Sequence, residues 1–418
     1  MKTWHWPACL ALAIAASTPT AIQAAEEDSR QRDGALLERL EALEKELQAT
    51  RKQLDEIDDE SSDEESSSKD YNELGGSFWT NFAWRDYSET SKSRGGDFRI
   101  DPFRLDVNGR EGNVIWSAQH RWYQYMDVIH HAWVGYQFDE ETDMAIGISQ
   151  VPFGIQPYAS HSYWFGVPYY VGLEDDYDTG VRYRTKKGNW DIQLGFYSNP
   201  EYANPGVLAR YSFDIVSDGT FNNEEINQGN VRLAYDISSG DDSNTELGLS
   251  VRRGQLYNSD TELTGDHWAA AVHFDGDYGP WGVELEAIRY EYAPEYPAGV
   301  DPRKVANGAF TGSYIIAAEA DLYVANLSRD FDVDWGPISG LRCYSDYSVL
   351  KKDPEGWEDT ELHTLGCGIS AGSVYTFVDF IRGKNHHFLG TPAAIAFAEG
   401  EQDPRWKTRF NINIEVYF

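Results

Sequence analysis

Lys407-Thr-Arg-Phe-Asn-Ile-Asn-Ile-Glu-Val-Tyr-Phe418 closes the chain. Thr408, Phe410, Ile412, Ile414, Val416 and Phe418 alternate there with Lys407, Arg409, Asn411, Asn413 and Glu415. A period of two is that of a β-strand, whose successive side chains stand on opposite faces. One face of this strand is apolar and the other polar or charged. At the edge of a sheet in water so much apolar surface would invite pairing with another chain. The pattern asks for apolar surroundings on one side and water on the other.

The same alternation recurs upstream. It predicts strands at 75–87, 98–109, 113–125, 129–138, 143–151, 178–187, 189–198, 229–237, 244–256, 265–275, 280–292, 313–325, 336–350, 361–371, 373–383 and 407–418. The connections alternate in length: Glu111-Gly112, Gly188 and Gly372 are short, whereas 152–177, 199–228, 293–312 and 384–406 are long. The rule holds for most connections, and 326–335 is long where a short turn belongs. An even strand count with alternating short turns and long loops is the plan of an outer-membrane barrel. The strand ending on Phe418 resembles the C-terminal signature of that class, which implies recognition by the barrel-assembly machinery. The expected fold is all-β, a sixteen-stranded antiparallel transmembrane β-barrel over 75–418, preceded by an α-helical coiled coil. No segment offers the eighteen or so continuous apolar residues that a membrane helix needs. Trp, Tyr and Phe make up 14% of the chain, which suits a wall whose lipid face is only every second residue.

The N-terminal region carries different signals. Lys2, the apolar run Leu10 to Ala16 and the small residues Ala21 to Ala24 predict a signal peptide over 1–24, which would take Cys9 with it. Leu36, Leu40, Leu43, Leu47, Leu54 and Ile57 then recur at steps of three and four, with Thr50 in the one polar slot. That heptad seam predicts a periplasmic coiled coil over 26–57, with a trimer favoured by Leu at the a positions. Residues 58–74 are acidic and serine-rich and predict a linker. Net charge is −34, which excludes nucleic acid as a partner because phosphate backbones need a basic footprint. The partners expected are outer-membrane lipid and lipopolysaccharide, other copies of the chain in a homotrimer, and small hydrophilic solutes.

Assigning the more apolar parity of each strand to lipid leaves the other for the lumen. Arg85, Arg104, Arg121, Arg182, Arg184, Lys186, Arg232, Arg252, Arg342 and Arg409 then line a pore, with Trp79 and Asn81 beside them. Glu284, Glu286, Glu319, Asp321 and Asp379 are the inward acids. A dry core could not hold so many ions, each of which costs several kcal/mol (an order of magnitude) to desolvate; a water-filled lumen can. After the fifth strand the inward residues Ala145, Gly147, Ser149 and Val151 are small, leaving room for a folded segment. The loop that follows contains Tyr158, Tyr163, Trp164 and Phe165 and ends on Glu174, Asp175 and Asp176. It is expected to fold inward as a constriction with its acids across from the wall arginines, giving a transverse field. An extracellular lid or a trimer contact is the alternative.

Gly147-Ile-Ser-Gln-Val-Pro-Phe-Gly154 is similar to the strand-end motif of the phosphate-selective porin O and P family. The resemblance implies a trimeric porin whose third loop narrows the pore. The loop Pro152 to Tyr177 departs from the selective members in having no Lys or Arg, so the expected function is passive diffusion of small hydrophilic solutes, anions such as phosphate among them. An aromatic constriction would equally suit sugars, and a non-transporting adhesin or assembly barrel is a further alternative.

No nucleophile elbow, phosphate-binding glycine loop or zinc spacing is present, so neither enzyme chemistry nor a cofactor or metal is expected. His130-His131 and His386-His387 are adjacent pairs, whose members would face opposite ways on strands. Ser117 and His120 differ in parity and do not make a lipid-facing pair. Cys343 and Cys367 share the lipid-facing parity of Leu341 and Leu365, each twelve residues from Glu355. Hairpin pairing about that centre sets them opposite one another, within disulfide reach. Two neighbouring free thiols are the other reading.

Overall fold

The computed structural model describes residues 70–238 and 243–418. The signal peptide expected at 1–24, the coiled coil at 26–57 and the linker up to residue 69 lie outside the described residues. Sixteen strands form the wall: β1 (Tyr71–Arg85), β2 (Asp97–Glu111), β3 (Val114–Trp122), β4 (Asp127–Asp139), β5 (Thr142–Gln150), β6 (Tyr177–Lys187), β7 (Trp190–Pro200) and β8 (Phe221–Ser238). β9 (Ser243–Asn258), β10 (Thr264–Tyr278), β11 (Trp281–Ala293), β12 (Glu319–Phe331), β13 (Gly340–Lys352), β14 (Thr360–Ala371), β15 (Val374–Lys384) and β16 (Lys407–Tyr417) complete it. Each pairs antiparallel with its sequence neighbours, and β1 pairs with β16 from Ser77↔Tyr417 to Arg85↔Arg409. That seam closes the sheet and leaves no edge.

At the end of the barrel that holds Phe418, strands are joined mostly by two-residue turns. Gly112, Gly188, Gly279 and Gly372 sit in them at φ 56°, 60°, 59° and 63°, a backbone shape that tight hairpins require and L side chains resist. The long connections leave the opposite end. The outer face carries an apolar band that includes Phe103, Val134, Ile146, Phe196, Leu249, Val272 and Leu327.

Fifteen strands lie close to the positions expected, although β1 starts four residues early, at Tyr71, and β8 starts at Phe221, eight residues before the expected 229. The twelfth does not. Gly312–Ala317 belongs to a hairpin with Lys304–Ala309 inside the barrel, and the wall strand is Glu319–Phe331. The shift moves the turn after it to 332–339, which is still longer than the two-residue turns at that end. Glu319 and Asp321, expected inside, stand on the outer face with Arg289, whose Nη1 lies 3.2 Å from Asp321. The inward positions of β12 are Ala320, Leu322, Val324, Asn326 and Ser328.

The reason is a second apolar surface, inside. Leu256, Ile288, Tyr290, Leu322, Leu350, Leu362 and Ile381 face inward and pack on Trp164, Tyr170, Phe213, Ile215, Val305, Tyr314, Ile316, Leu389 and Phe397. These come from four connections, 151–176, 201–220, 294–318 and 385–406, which share one core and cap the loop end. The loop expected to fold inward does so, and three further loops share its core.

The register sets Cys343 opposite Cys367 on β13 and β14, on the outer face, and the two sulfurs are bonded. A bridge over a sequence separation of 24 removes unfolded-state entropy worth roughly 3 kcal/mol. Alkylation of the denatured, unreduced protein is expected to leave both cysteines unmodified, and to label both once reductant is added. Labelling of both before reduction would contradict the bond.

Candidate functional site

The inward face is polar where the cap does not reach, along β1–β4 and β16. A β-bulge at Asp101–Pro102 shifts the parity of β2, so that Arg99 and Asp101 face inward above Arg104 and Asp106. Arg99, Asp101 and Arg104, with Trp79, Arg121, Tyr211 and Arg409, line a cavity of ≈ 480 Å³. Its far side is the loop 151–176, through Tyr158, Tyr163, Trp164, Phe165 and Asp175.

The arginines differ in how they are held. Arg104 donates to Asp106 at 2.8 Å. Arg121 donates from Nε to Gln119 Oε1 at 2.5 Å and lies 4.5 Å from the centre of the Tyr211 ring. Arg409 donates to Asn411 at 2.9 Å and to Asn81 at 3.2 Å, with its guanidinium 4.7 Å from the Trp164 ring. Neutral amides and ring faces orient a guanidinium without cancelling its charge. Among the described residues, Arg99, Arg121 and Arg409 have no carboxylate within salt-bridge distance. Opposite them, Asp175 accepts from Tyr211 at 2.5 Å. Burial pushes its carboxyl up to about 6, against the Tyr211 hydrogen bond and the nearby Arg121 charge.

Several expected pore residues do other work. Arg182 and Arg184 point inward but both contact Asp143, at 3.2 and 2.8 Å, and neither lines the cavity. Lys186 stands 3.8 Å from Asp191. Arg85 is bound to Asp97 at the loop end. Arg232 donates to the Gly154 carbonyl at 2.8 Å and Arg252 to the Gly172 carbonyl at 2.8 Å, so these two clamp the start and the end of the loop. Arg342 pairs with Asp330 at 2.7 Å and lines a second cavity, of ≈ 640 Å³, toward the turn end. Asp275, Asp277, Glu284 and His161 share that space. Burial opposes a proton on His161, but its Asp346 hydrogen bond at 2.9 Å and the Glu284 charge raise its proton affinity above the ordinary value.

The loop crosses the lumen on hydrogen bonds to inward wall residues. Ser250 Oγ accepts from Gly154 N at 3.0 Å, Asp346 from His161 N at 2.8 Å and Ser348 Oγ from Val167 N at 2.9 Å. Trp164 is buried, while Tyr158 keeps 39% of its surface exposed. The three acids part company. Asp175 faces the cavity, Asp176 lies 3.5 Å from Arg252, and Glu174, which accepts from Ala159 N at 3.2 Å, is held well above the usual carboxylate range by burial and then by Glu286.

His130 and His131 do not face opposite ways. A bulge opposite Gln119 and His120 turns both into the cavity, with their Nδ1 atoms 3.0 Å apart. Ser117, expected to lack a histidine partner in His120, meets His131 Nε2 at 2.7 Å. His386 and His387 lie in a loop that starts a short 3-10 helix, not on a strand. Arg99, Asp101, Tyr211 and the two β4 histidines were not expected in the site. Bulges hide the first, second and last of these from a period of two, and Tyr211 sits in a connection with no period at all.

No protein-family model matches the chain, and no curated protein matches it. Solved structures do. The barrel is similar to OmpF of Salmonella typhi in complex with daunomycin, with a TM-score of 0.55 at 11% identity over 84% of this chain and 98% of that one. The fold is that of the outer-membrane porins. An anion-selective porin from Comamonas acidovorans gives 0.53 at 13% identity, over 84% of this chain and 100% of that chain. The outer membrane channel DcaP of Acinetobacter baumannii gives 0.53 at 12% over 85% and 99%. The likeness to the phosphate-selective O and P family rests on Gly147–Gly154 alone. Two of its residues have a local reason: a Cβ on Gly147 would lie 2.2 Å from the Ala132 carbonyl oxygen, and one on Gly154 2.2 Å from Glu286.

Proposed function

We propose that this protein is a passive channel of the bacterial outer membrane for small hydrophilic solutes, with anions favoured over cations. Three guanidiniums without a carboxylate partner, on Arg99, Arg121 and Arg409, face a water-accessible cavity inside a barrel whose outer face is apolar. That observation carries the reading. The apolar band would sit in the hydrocarbon layer, with the turn end and the N-terminal segment in the periplasm, and three copies would associate through it. Phosphate is one anion of suitable charge. No catalytic step is assigned to the site.

Sugars are the second reading. Trp79, Tyr158, Tyr163, Trp164 and Tyr211 line the same cavity, and ring faces stack on pyranose as readily as on a guanidinium. Reversal potentials in asymmetric salt separate the two. The channel is expected to prefer anions, and Arg121→Glu with Arg409→Glu to prefer cations. Arg182→Glu with Arg184→Glu is expected to shift the potential less, since Asp143 already offsets part of their charge. An unchanged potential in the Arg121/Arg409 variant, together with current block by sugars, would favour the second reading.

A further inference from the structure

Asp176, Asp178 and Asp214 come from the end of the constriction loop, the start of β6 and the loop 201–220. One carboxylate oxygen of each lies within 4.8 Å of the others. Their exposures are 7, 6 and 2%. Two more acids adjoin them: Glu201, 4% exposed, whose carboxyl reaches Asp214, and Glu225, 8% exposed. The cations present are Arg210, 3.0 Å from Asp214, and Arg252, 3.5 Å from Asp176. With all five ionised, the carboxylates against two guanidiniums would leave an excess of three negative charges at buried positions. Burying even one ion unpaired costs several kcal/mol, an order of magnitude.

A second observation is independent of the clustering. Asp176 Oδ1, Asp178 Oδ1, Glu201 Oε2 and Glu225 Oε1 are all buried without any hydrogen-bond partner. The other oxygens are satisfied: Gln228 donates to Asp178 Oδ2 at 3.2 Å, Ser212 N to Glu201 Oε1 and Ile215 N to Glu225 Oε2. One oxygen of each of these acids is thus fixed by the protein and the other left free. Behind Glu225, His267 is 1% exposed with neither ring nitrogen bonded, its Nδ1 3.9 Å from Glu225 Oε1. Buried polar atoms without partners are uncommon and point to a group that supplies the missing contacts.

We propose that Asp176, Asp178 and Asp214 bind one calcium ion, with Glu201 and Glu225 as its acidic neighbours. An all-carboxylate donor set on separate segments suits a hard cation that accepts six to eight oxygens in irregular geometry, roughly 2.3–2.6 Å away. Zinc would call for nitrogen or sulfur ligands, and magnesium for an octahedron with retained water. The ion would remove two of those three excess charges. It ties the constriction loop to the cap and to the β6–β8 wall, which makes calcium a structural tether of the lumen. The site does not depend on which solute the channel passes.

The test uses the whole protein in detergent, stripped with EGTA and then titrated with calcium under a hundredfold excess of magnesium. One calcium per chain is expected, with a rise of several degrees in the heating midpoint at which the barrel unfolds on gels. Asp178→Asn is expected to weaken binding at least tenfold while leaving the stripped protein no less stable. Asp275→Asn with Asp277→Asn, in the second cavity, leaves both readouts unchanged. No calcium uptake by the stripped wild type, with an unchanged midpoint, would overturn the proposal and assign the cluster to shared protons. Uptake that survives Asp178→Asn would belong to the acidic surface and would overturn it equally. Because the first arm needs no variant, a failure of Asp178→Asn to fold leaves the proposal open to refutation.

Discussion

Single-channel conductance is expected to rise several-fold when Phe213 and Phe397 are both replaced by alanine. Phe397 is fully buried and packs 5.1 Å from Tyr314 and 5.0 Å from His386, ring centre to ring centre. Phe213 lies 5.1 Å from Tyr169 and 5.7 Å from Tyr314. Between them they join all four connections of the cap. Each truncation removes roughly 3–5 kcal/mol of burial and packing, while the wall keeps its ladder of hydrogen bonds. The cap should loosen and the barrel survive. Planar-bilayer recordings measure the current, and heat-modifiable migration on gels reports whether the barrel is intact. An intact barrel with wild-type conductance would show that the cap does not limit the current.

Replacing Arg232 by leucine is expected to lower the unfolding midpoint and to expose the constriction loop to protease. The Arg232 side chain is 2% exposed and holds three groups at once: the Gly154 carbonyl, Glu246 and, at 4.0 Å, Asp191. Breaking a buried pair strands the remaining charge, at a cost of roughly 3 kcal/mol. The low end of the range applies, since Glu246 keeps His273 at 2.9 Å. Arg232→Lys keeps a charge but lacks the fork that reaches carbonyl and carboxylate together, so it should recover only part of the loss. Proteolysis sites within 153–165 that appear in Arg232→Leu and not in the wild type would confirm the clamp. An unchanged cleavage pattern would exclude it.

The wall was legible because its outer face obeys one rule everywhere. Phe103, Val134, Leu249 and Leu327 meet the same surroundings, so a period of two locates their strands without knowledge of the inside. The inside obeys two rules. Along β1–β4 and β16 it is polar, and Arg104, Arg121 and Arg409 follow from parity. Along β11–β15 the loop-end half is apolar, and Leu322, Leu350 and Ile381 make parity ambiguous. Parity alone puts Glu319 and Asp321 inside for that reason, and Gly312–Ala317, a true strand, reads as wall. Asp143 opposite Arg184 was within reach of register reasoning; the Arg232–Gly154 contact, over 78 residues, was not. Bulges at Pro102 and His130 each add one residue, and every later side chain on the strand changes face.

The shared core of the cap also bears on how this surface can vary. Loops that stand free of a scaffold accept insertions one at a time. Here Ile215, Val305, Tyr314 and Phe397 belong to different connections yet have one environment, so a change of length or bulk in one must be matched by the others. Freedom is left to the exposed tips, such as Asp260 and Glu262 between β9 and β10 or Lys92 to Gly95 after β1. Foreign epitopes belong there, and a lineage under pressure from phage or antibody would be expected to diversify at those tips while the capping segments change only in concert.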